Sequence, residues 1–317
     1  MGKGIRRAVM AAALVLFLFS IISMGNILYN RGRDEALYRE AQESYTAFVG
    51  ESGETKTETG KSATEHNGVS GEGSSGGPGE KAYGDSEAGK ERAPLVVDFA
   101  KLQAENEEVQ GWIYCEGTPI NYPVVKGEDN SFYLNHSYDG KESASGAIFM
   151  DVSNRSGFAD ANSILYGHHM KNGSMFAGLE KWADQEYYEE HPQMWLLTPE
   201  GDYRIVLFAG YTTRSDSETY TIFTDFCPEM EEYLEKCMEK SDFRADLGKA
   251  ESGLSGEGKE AAALIQTSAE HAQVSDSGEA EQRFVVLSTC AYSFEEARYV
   301  LHGILVPVEA REQEINF

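Results

Sequence analysis

Three residues of this chain have the types that thiol-based acyl transfer requires. Cys290 ends a Leu-Ser-Thr-Cys segment, Arg298 follows eight positions later, and His168 lies far upstream in a Tyr-Gly-His segment. A thiol attacks carbonyl groups as the thiolate, which a neighbouring imidazolium or guanidinium favours. Arginine stays charged and donates from a planar fork, so it suits a developing oxyanion or a substrate carbonyl. The three residues predict a cysteine nucleophile, a histidine base and an arginine clamp.

The flanking sequence indicates how these residues are held. Residues 284–289 form a short, apolar, β-branched run that is typical of a buried strand, and Cys290 stands at its end. Arg298 opens a second strand-like run at 299–306. A hairpin connection through residues 291–297 would place Arg298 beside Cys290.

Each residue alone has a more common structural interpretation. A cysteine after an apolar strand is usually a buried thiol. An arginine that opens a strand usually forms a surface ion pair, and a loop histidine is often satisfied by the backbone. The three residues together, at strand ends and in a loop, favour a catalytic site.

Further motifs occur in a fixed order around these residues. They are Asp-Phe at 98–99 with Leu102 and Asn106, Gly-Trp-Ile at 111–113, Ile-Asn-Tyr-Pro-Val-Val at 120–125, Asp-Asn at 129–130 with Tyr-Leu at 133–134 and Gly140, Ile-Leu-Tyr-Gly-His-His-Met at 164–170, and Gly-Ser-Met-Phe at 173–176. With the Leu-Ser-Thr-Cys segment and Arg298, this set resembles class B sortases, membrane-anchored cysteine transpeptidases that attach proteins to Gram-positive cell walls. Two departures are Val286, where sortases often carry threonine, and the lack of Asp or Asn directly after Cys290, so no carboxylate is assigned to orient His168.

The resemblance implies a mechanism in two halves. Cys290 would attack a threonine carbonyl in a C-terminal sorting motif of a secreted protein, giving a thioester that an amine of a lipid-linked peptidoglycan precursor resolves. His168 would move the protons, and Arg298 would hold the substrate carbonyl or the oxyanion. The positions that match the peptide groove are Asn130, Leu134, Ser288 and Thr289. No cofactor and no metal are implied, and we interpret the adjacent His169 as structural.

The periodicity predicts a mainly β fold with peripheral helices. Strand-like runs recur at 147–150, 195–198 and 203–211, and helical spacing occurs at 175–182 and 230–238. Many short strands with few helices are typical of a closed or nearly closed barrel with helices at its ends. The resemblance implies the eight-stranded sortase barrel specifically.

The N-terminal region predicts a membrane anchor. Residues 8–29 are almost uncharged, and as a helix these 22 residues would extend about 33 Å, enough to cross a bilayer core. Lys3, Arg6 and Arg7 precede this stretch, which favours a cytoplasmic N-terminus and an extracellular catalytic domain. A cleaved signal peptide is the alternative, but the apolar stretch is longer than usual and no clear Ala-x-Ala site follows it.

Composition divides the chain into four parts. Residues 1–30 form the cytoplasmic tip and anchor, and residues 31–49 form a juxtamembrane helix. Residues 50–93 are rich in Gly, Ser and Glu and predict a flexible linker that holds the catalytic domain, 94–317, off the membrane or serves as a passive spacer. A second polar tract at 245–282 borders the expected groove, either as a disordered insertion or as a mobile flap.

Charge and cysteine content exclude several functions, while three alternatives stay open. A net charge of −26 argues against nucleic-acid binding. The four cysteines do not fit a disulfide scaffold, and their spacing does not suggest a metal site. The alternatives to wall anchoring are a pilin-polymerising sortase, a cysteine peptidase that uses water, and a non-enzymatic surface-binding module.

Overall fold

The computed structural model describes residues 3–49, 55–56, 92–245, 282–290 and 296–308. For residues 3–9, 11, 26–28, 31, 55–56 and 290 it describes the backbone only. Most of the predicted linker at 50–93, most of the predicted insertion at 245–282 and most of the connection at 291–297 lie outside the described residues.

The elements follow one another from Lys3 to Val308. The helices are α1 Lys3–Tyr45, α2 Phe99–Glu105, α3 Gln185–Glu190 and α4 Pro228–Lys240. The strands are β1 Thr46–Val49, β2 Thr55–Lys56, β3 Leu95–Val97, β4 Val109–Tyr114, β5 Asn121–Val125, β6 Ile148–Met150, β7 Asn162–Tyr166, β8 Gln193–Thr198, β9 Gly201–Arg214, β10 Arg283–Cys290 and β11 Ala297–Val308. Short 3₁₀ turns occupy Phe132–Leu134, Ser156–Phe158, Ala177–Ala183 and Glu218–Tyr220.

Eight of the described strands close into a barrel, which confirms the predicted architecture. Their order is β10-β11-β9-β8-β4-β5-β6-β7. The β5–β6 and β7–β10 pairs are parallel, and the other pairs are antiparallel. Strands β1, β2 and β3 form a separate small sheet in the order β2-β1-β3.

Strand β10 is buried on both faces, which explains its continuous apolar sequence. Val285 and Leu287 belong to the main core, whereas Phe284 and Val286 belong to a second core. Helix α4 covers that second core with Met230, Tyr233, Leu234 and Cys237. Because both faces of β10 are packed, its end is held rigidly. The helical spacing predicted at 230–238 is confirmed by α4.

A buried histidine on β11 makes the stability of the fold depend on pH. His302 stacks on Tyr211 with ring centroids 5.3 Å apart, and burial together with the charge of Lys240 lowers its pKa to about 3. An unfolded histidine titrates near 6.5. As the pH falls below 6.5, the unfolded chain therefore binds a proton that the folded chain does not bind, and stability is lost from pH 6.5 toward pH 3. The full contribution is present above pH 6.5.

We expect His302→Phe, which keeps a ring against Tyr211, to flatten this dependence. The free energy of unfolding of the parent protein should fall more steeply between pH 6.5 and 4.5 than that of the variant, by at most about 1.4 kcal/mol per pH unit. Urea unfolding at several pH values measures the difference. Parallel curves for the two proteins would contradict the assignment.

Helix α1 covers the predicted anchor and most of the predicted juxtamembrane helix, whose last four residues, Thr46–Val49, form strand β1 instead. It is continuous from Lys3 to Tyr45. Within the described part of the chain, no helix has the combination of length and apolarity that crossing a membrane requires. The helix predicted over residues 8–29 is therefore present, but the structure does not confirm it as a membrane span.

The C-terminal part of α1 packs against the barrel. Tyr38 is buried, its hydroxyl donates to the Gly146 carbonyl, and its ring lies edge-on to Tyr122 at 5.3 Å. Gln42 Nε2 donates to the carbonyl of Asn121 on β5 at 2.8 Å. The buried carboxylate of Asp34 accepts from the backbone N–H of Ser145 at 3.2 Å. These contacts make residues 34–45 part of the same packed unit as the barrel.

The chain then returns to the barrel through the small sheet. Thr46 pairs with Val97 and Phe48 pairs with Leu95, and the N–H of Val49 donates to the carbonyl of Pro94 at 3.0 Å. Positions 49 and 94 are therefore hydrogen-bonded neighbours. The predicted linker itself lies mostly outside the described residues, whereas the helix before it contacts the barrel directly.

Candidate active site

The three residues singled out in the sequence lie at one end of the barrel. His168 follows β7 and Cys290 ends β10, and these strands are parallel neighbours with Tyr166 beside Ser288. Because parallel strands end at the same edge of a sheet, the two residues lie close together. Arg298 opens β11 directly opposite Cys290 in the antiparallel register. The predicted hairpin neighbours are confirmed in their backbone positions.

A cleft of about 300 Å³ opens at this end of the barrel. It is lined by Asn130, Leu134, Phe149, Tyr166, Gly167, His168, Ser215, Tyr220, Ser288, Thr289 and Arg298. All four residues predicted to form the peptide groove therefore border the cleft, as do His168 and Arg298. Its size suits a short segment of chain rather than a large ligand.

His168 is oriented by a backbone carbonyl. Its Nε2 lies 2.6 Å from the carbonyl oxygen of Leu134, which ends the 3₁₀ turn Phe132–Leu134. A carbonyl only accepts, so Nε2 carries a proton and Nδ1 is the nitrogen that can take one. The ring also packs over Gly146, where an added Cβ would lie 3.1 Å from His168 Cδ2 and 2.8 Å from the Leu134 oxygen. Gly146, at φ +57°, is thus required in this position.

The neighbouring histidine points elsewhere. His169 Nε2 lies 3.6 Å from Glu180 Oε2, and the residue does not line the cleft. This placement agrees with its interpretation as a structural residue.

Arg298 presents its charge to the cleft. The half-buried guanidinium donates from Nη1 to the carbonyl of Ala297 at 3.0 Å. Among the described residues, no carboxylate forms an ion pair with Arg298. Its remaining donors are therefore available to a ligand carbonyl or an oxyanion beside Cys290.

Comparison with known proteins supports the same interpretation. No family model matches the chain. Sortase B of Listeria monocytogenes is 32% identical over 213 residues, which cover 66% of this chain and 74% of that protein. This chain belongs to the class B sortases. Sortase B of Staphylococcus aureus is 34% identical over 159 residues, covering 50% of this sortase and 65% of that protein. The 2.0 Å crystal structure of Staphylococcus aureus sortase B superimposes with a TM-score of 0.53 at 27% identity, covering 67% and 87% of the two chains.

The cleft of this sortase also contains residues that the sequence did not single out. Tyr220, in the 3₁₀ turn after β9, shares a hydrogen bond of 2.9 Å with the Ser288 hydroxyl and stacks on Tyr166. Phe149 packs against Tyr166 at 5.3 Å, and Ser215 lies at the rim. Tyr166 belongs to the motif at 164–170, although its sequence did not indicate a role in the cleft. Phe149 lies near the end of β6, and that position was the one signal available for it.

Thr289 adds an unpaired polar atom to the cleft of this sortase. The residue is buried, and its Oγ1 has no hydrogen-bond partner among the described residues. A buried hydroxyl without a partner is costly to the folded state.

Proposed function

We propose that this sortase cleaves a sorting motif near the C-terminus of secreted proteins after a threonine and transfers the released acyl group to an amine. Membership in the class B sortases supports transpeptidase activity. The observation that carries the finer proposal is the meeting of His168, Cys290 and Arg298 at the ends of β7, β10 and β11, around a cleft for a short peptide.

The first half of the reaction breaks the peptide bond. The Cys290 thiolate attacks the threonine carbonyl, a carbon–sulfur bond forms, and negative charge develops on the carbonyl oxygen. Arg298 neutralises that charge. His168, as the imidazolium, gives its Nδ1 proton to the departing amine, and the carbon–nitrogen bond breaks to leave a thioester.

The second half reverses the roles. An amine attacks the thioester, neutral His168 accepts its proton at Nδ1, and the thiolate of Cys290 departs. Through Nε2, the Leu134 carbonyl holds the ring in one orientation in both steps. The product is an amide that joins the secreted protein to the acceptor.

The acceptor and the location are part of the proposal. We assign the amine to a lipid-linked peptidoglycan precursor and residues 8–29 to an anchor in the cell membrane, with the N-terminus cytoplasmic and the barrel extracellular. The support for anchoring is that large apolar side chains along this part of α1 are exposed, as at Leu14, Phe17 and Ile22, which are 58%, 62% and 70% exposed. Exposed apolar side chains of this kind are solvated more favourably by lipid than by water.

The test is mass spectrometry of the full-length protein in detergent with a panel of candidate sorting peptides and an amine acceptor. We expect cleavage after threonine, a transient adduct on Cys290 and an amine-linked product. Cys290→Ala should form neither adduct nor product. Cys227→Ala, which removes a half-buried thiol that does not line the cleft, is the matched control and should behave as the parent protein.

The other outcomes separate the alternatives. A product formed only with a lysine side chain of a pilin subunit would indicate pilus polymerisation. Hydrolysis with every acceptor would indicate a peptidase. No adduct with any peptide, together with a thiol that resists alkylation, would contradict catalysis and leave a surface-binding module. The structure of a complex between Staphylococcus aureus sortase B and a substrate has a TM-score of 0.52 to this structure. That similarity supports the proposal of catalysis over that of a surface-binding module.

A further inference from the structure

We propose that Asp151 is a positioning residue that fixes the hydrogen-bonding pattern of Asn130 and Tyr166, so that the cleft wall reads the main chain of the sorting peptide. This inference deepens the proposed function and rests on it. Asp151 directly follows β6 and is only 8% exposed. It does not line the cleft itself, whereas Asn130 and Tyr166 do.

The Asp151 carboxylate accepts three hydrogen bonds. Its Oδ2 accepts from Asn130 Nδ2 and from the Tyr166 hydroxyl, both at 2.9 Å, and its Oδ1 accepts from the N–H of Ser153 at 2.8 Å. The backbone N–H of Asp151 donates to the Ile164 carbonyl on β7 at 2.9 Å. The carboxylate is therefore fixed in place, and every group around its oxygens is a donor.

The orientation of the Asn130 amide follows from this arrangement. The N–H of Val152 donates to Asn130 Oδ1 at 2.8 Å, while Nδ2 faces the carboxylate. A backbone N–H cannot accept and a carboxylate cannot donate, so the amide cannot flip. One N–H of Nδ2 is committed to Asp151, and the other has no partner among the described residues. Asn130 thus presents a donor to the cleft.

Tyr166 presents the opposite polarity. Its only proton is donated to Asp151, so the lone pairs of its oxygen face the cleft as acceptors. Burial and the charge of Asp151 raise the pKa of Tyr166, which keeps the phenol protonated. Phe149 and Tyr220 pack against the ring and limit its movement.

A donor and an acceptor held by the same carboxylate oxygen match the groups of a peptide main chain. An extended peptide offers C=O and N–H groups along its edge, so Asn130 would bind a carbonyl and Tyr166 would bind an N–H. Such contacts do not depend on side chains. Asp151 would therefore set the strength with which any sorting motif is bound, and the choice among motifs would come from other groups at the cleft.

The test uses Asp151→Asn, which keeps the shape of the side chain but replaces one acceptor oxygen with an NH₂ donor. Whichever way the new amide turns, its NH₂ group faces a donor, either Ser153 or the pair of Asn130 and Tyr166. Peptide affinity is measured in the Cys290→Ala background, where no reaction follows binding. We expect a Kd about tenfold higher with Asp151→Asn, as for one buried hydrogen-bonding group left without a partner.

Catalysis is measured separately with Cys290 restored. We expect a comparable rise in KM, a kcat within about twofold, and an unchanged rate of Cys290 alkylation by iodoacetamide. In a protein that already carries Tyr166→Phe, Asp151→Asn should raise Kd by a smaller factor than it does in the protein that keeps Tyr166. The reason is that one group oriented by Asp151 is already gone.

The matched control is Asp160→Asn. Asp160 is also buried and accepts from Asn154 Nδ2 at 2.8 Å and from the N–H of Arg155 at 2.7 Å, but neither it nor these two partners line the cleft. It should lower thermal stability and leave Kd unchanged. An unchanged Kd for Asp151→Asn, the same Kd change in both variants, or a loss of kcat and alkylation rate without a change in Kd would overturn the inference. Absence of turnover in the parent protein would count against the proposed function alone, since the binding measurement stands apart from it.

Discussion

Arg298→Ala is expected to lower kcat for peptide turnover by roughly 10²–10³-fold, the usual effect of removing a donor to a developing oxyanion. Arg298 lies directly opposite Cys290 in the β10–β11 register, and among the described residues it forms no ion pair with a carboxylate. Its removal therefore leaves no buried carboxylate unpaired, and we expect the melting temperature to change little. Steady-state kinetics and thermal unfolding on the same samples measure both effects.

Arg298→Lys distinguishes a clamp from a simple charge. Lysine keeps the charge but loses the planar fork, so we expect it to recover only a small part of the lost kcat. Arg214→Lys is the matched control, because Arg214 lies on the neighbouring strand, pairs with Ala297 and forms an exposed ion pair with Asp216. It should leave kcat unchanged. A kcat for Arg298→Ala within threefold of the parent protein would rule out the assigned role.

The local part of the site could be predicted from the sequence. The apolar runs around 284–289 and 299–306 predict two strands, and a short connection makes them antiparallel neighbours. This reasoning places Cys290 beside Arg298, and the register confirms it. The parallel pairing of β7 with β10, which brings His168 to the same edge, joins segments more than 100 positions apart. No periodicity indicates such a pairing, and the family resemblance implied only that His168 and Cys290 act in one site.

The groups that orient the site could not be predicted in the same way. His168 is held by the Leu134 carbonyl, and every residue carries a carbonyl, so the sequence does not indicate which one is used. Asp151 follows an ordinary short strand and looks like any polar residue at a strand end. Its importance arises from two donors, Asn130 and Tyr166, that reach one oxygen from separate segments.

The N-terminal region shows the same limit. The juxtamembrane helix predicted from residue 31 onward is present as far as Tyr45, but the sequence did not indicate what this helix packs against. The partner is the barrel, reached through Gly146 and Tyr122. Composition also suggested a domain boundary at residue 94, because the segment before it is polar. The pairing of β1 with β3 crosses that boundary.

A protein truncated to residues 94–317 is therefore expected to be much less stable than one that begins at residue 31. Truncation removes the buried side chains of Tyr38 and Tyr45, and losing one buried aromatic side chain typically costs about 3–5 kcal/mol. It also removes β1, the described partner of β3. We expect the free energy of unfolding to fall by at least about 3 kcal/mol and the melting temperature by roughly 6–12 °C. Urea and thermal unfolding of the two proteins measure the difference.

Replacing residues 51–91 with a short Gly/Ser turn, in the protein that begins at residue 31, is the matched control. It removes residues on the same side of position 94 and takes away β2, but it keeps α1 from residue 31, β1 and β3. Positions 49 and 94 are already hydrogen-bonded neighbours. A shorter loop between fixed ends changes closure entropy only slightly, so the free energy of unfolding should stay within about 1 kcal/mol of that of the protein that begins at residue 31.

The truncated protein should also have a lower kcat than its smaller folded fraction explains. We expect this loss of kcat because the Tyr38 hydroxyl holds the Gly146 carbonyl in place. Gly146 in turn packs against His168 and against the Leu134 carbonyl oxygen that orients His168. Equal stability and equal kcat in the truncated and control proteins would show that the helix does not support the site.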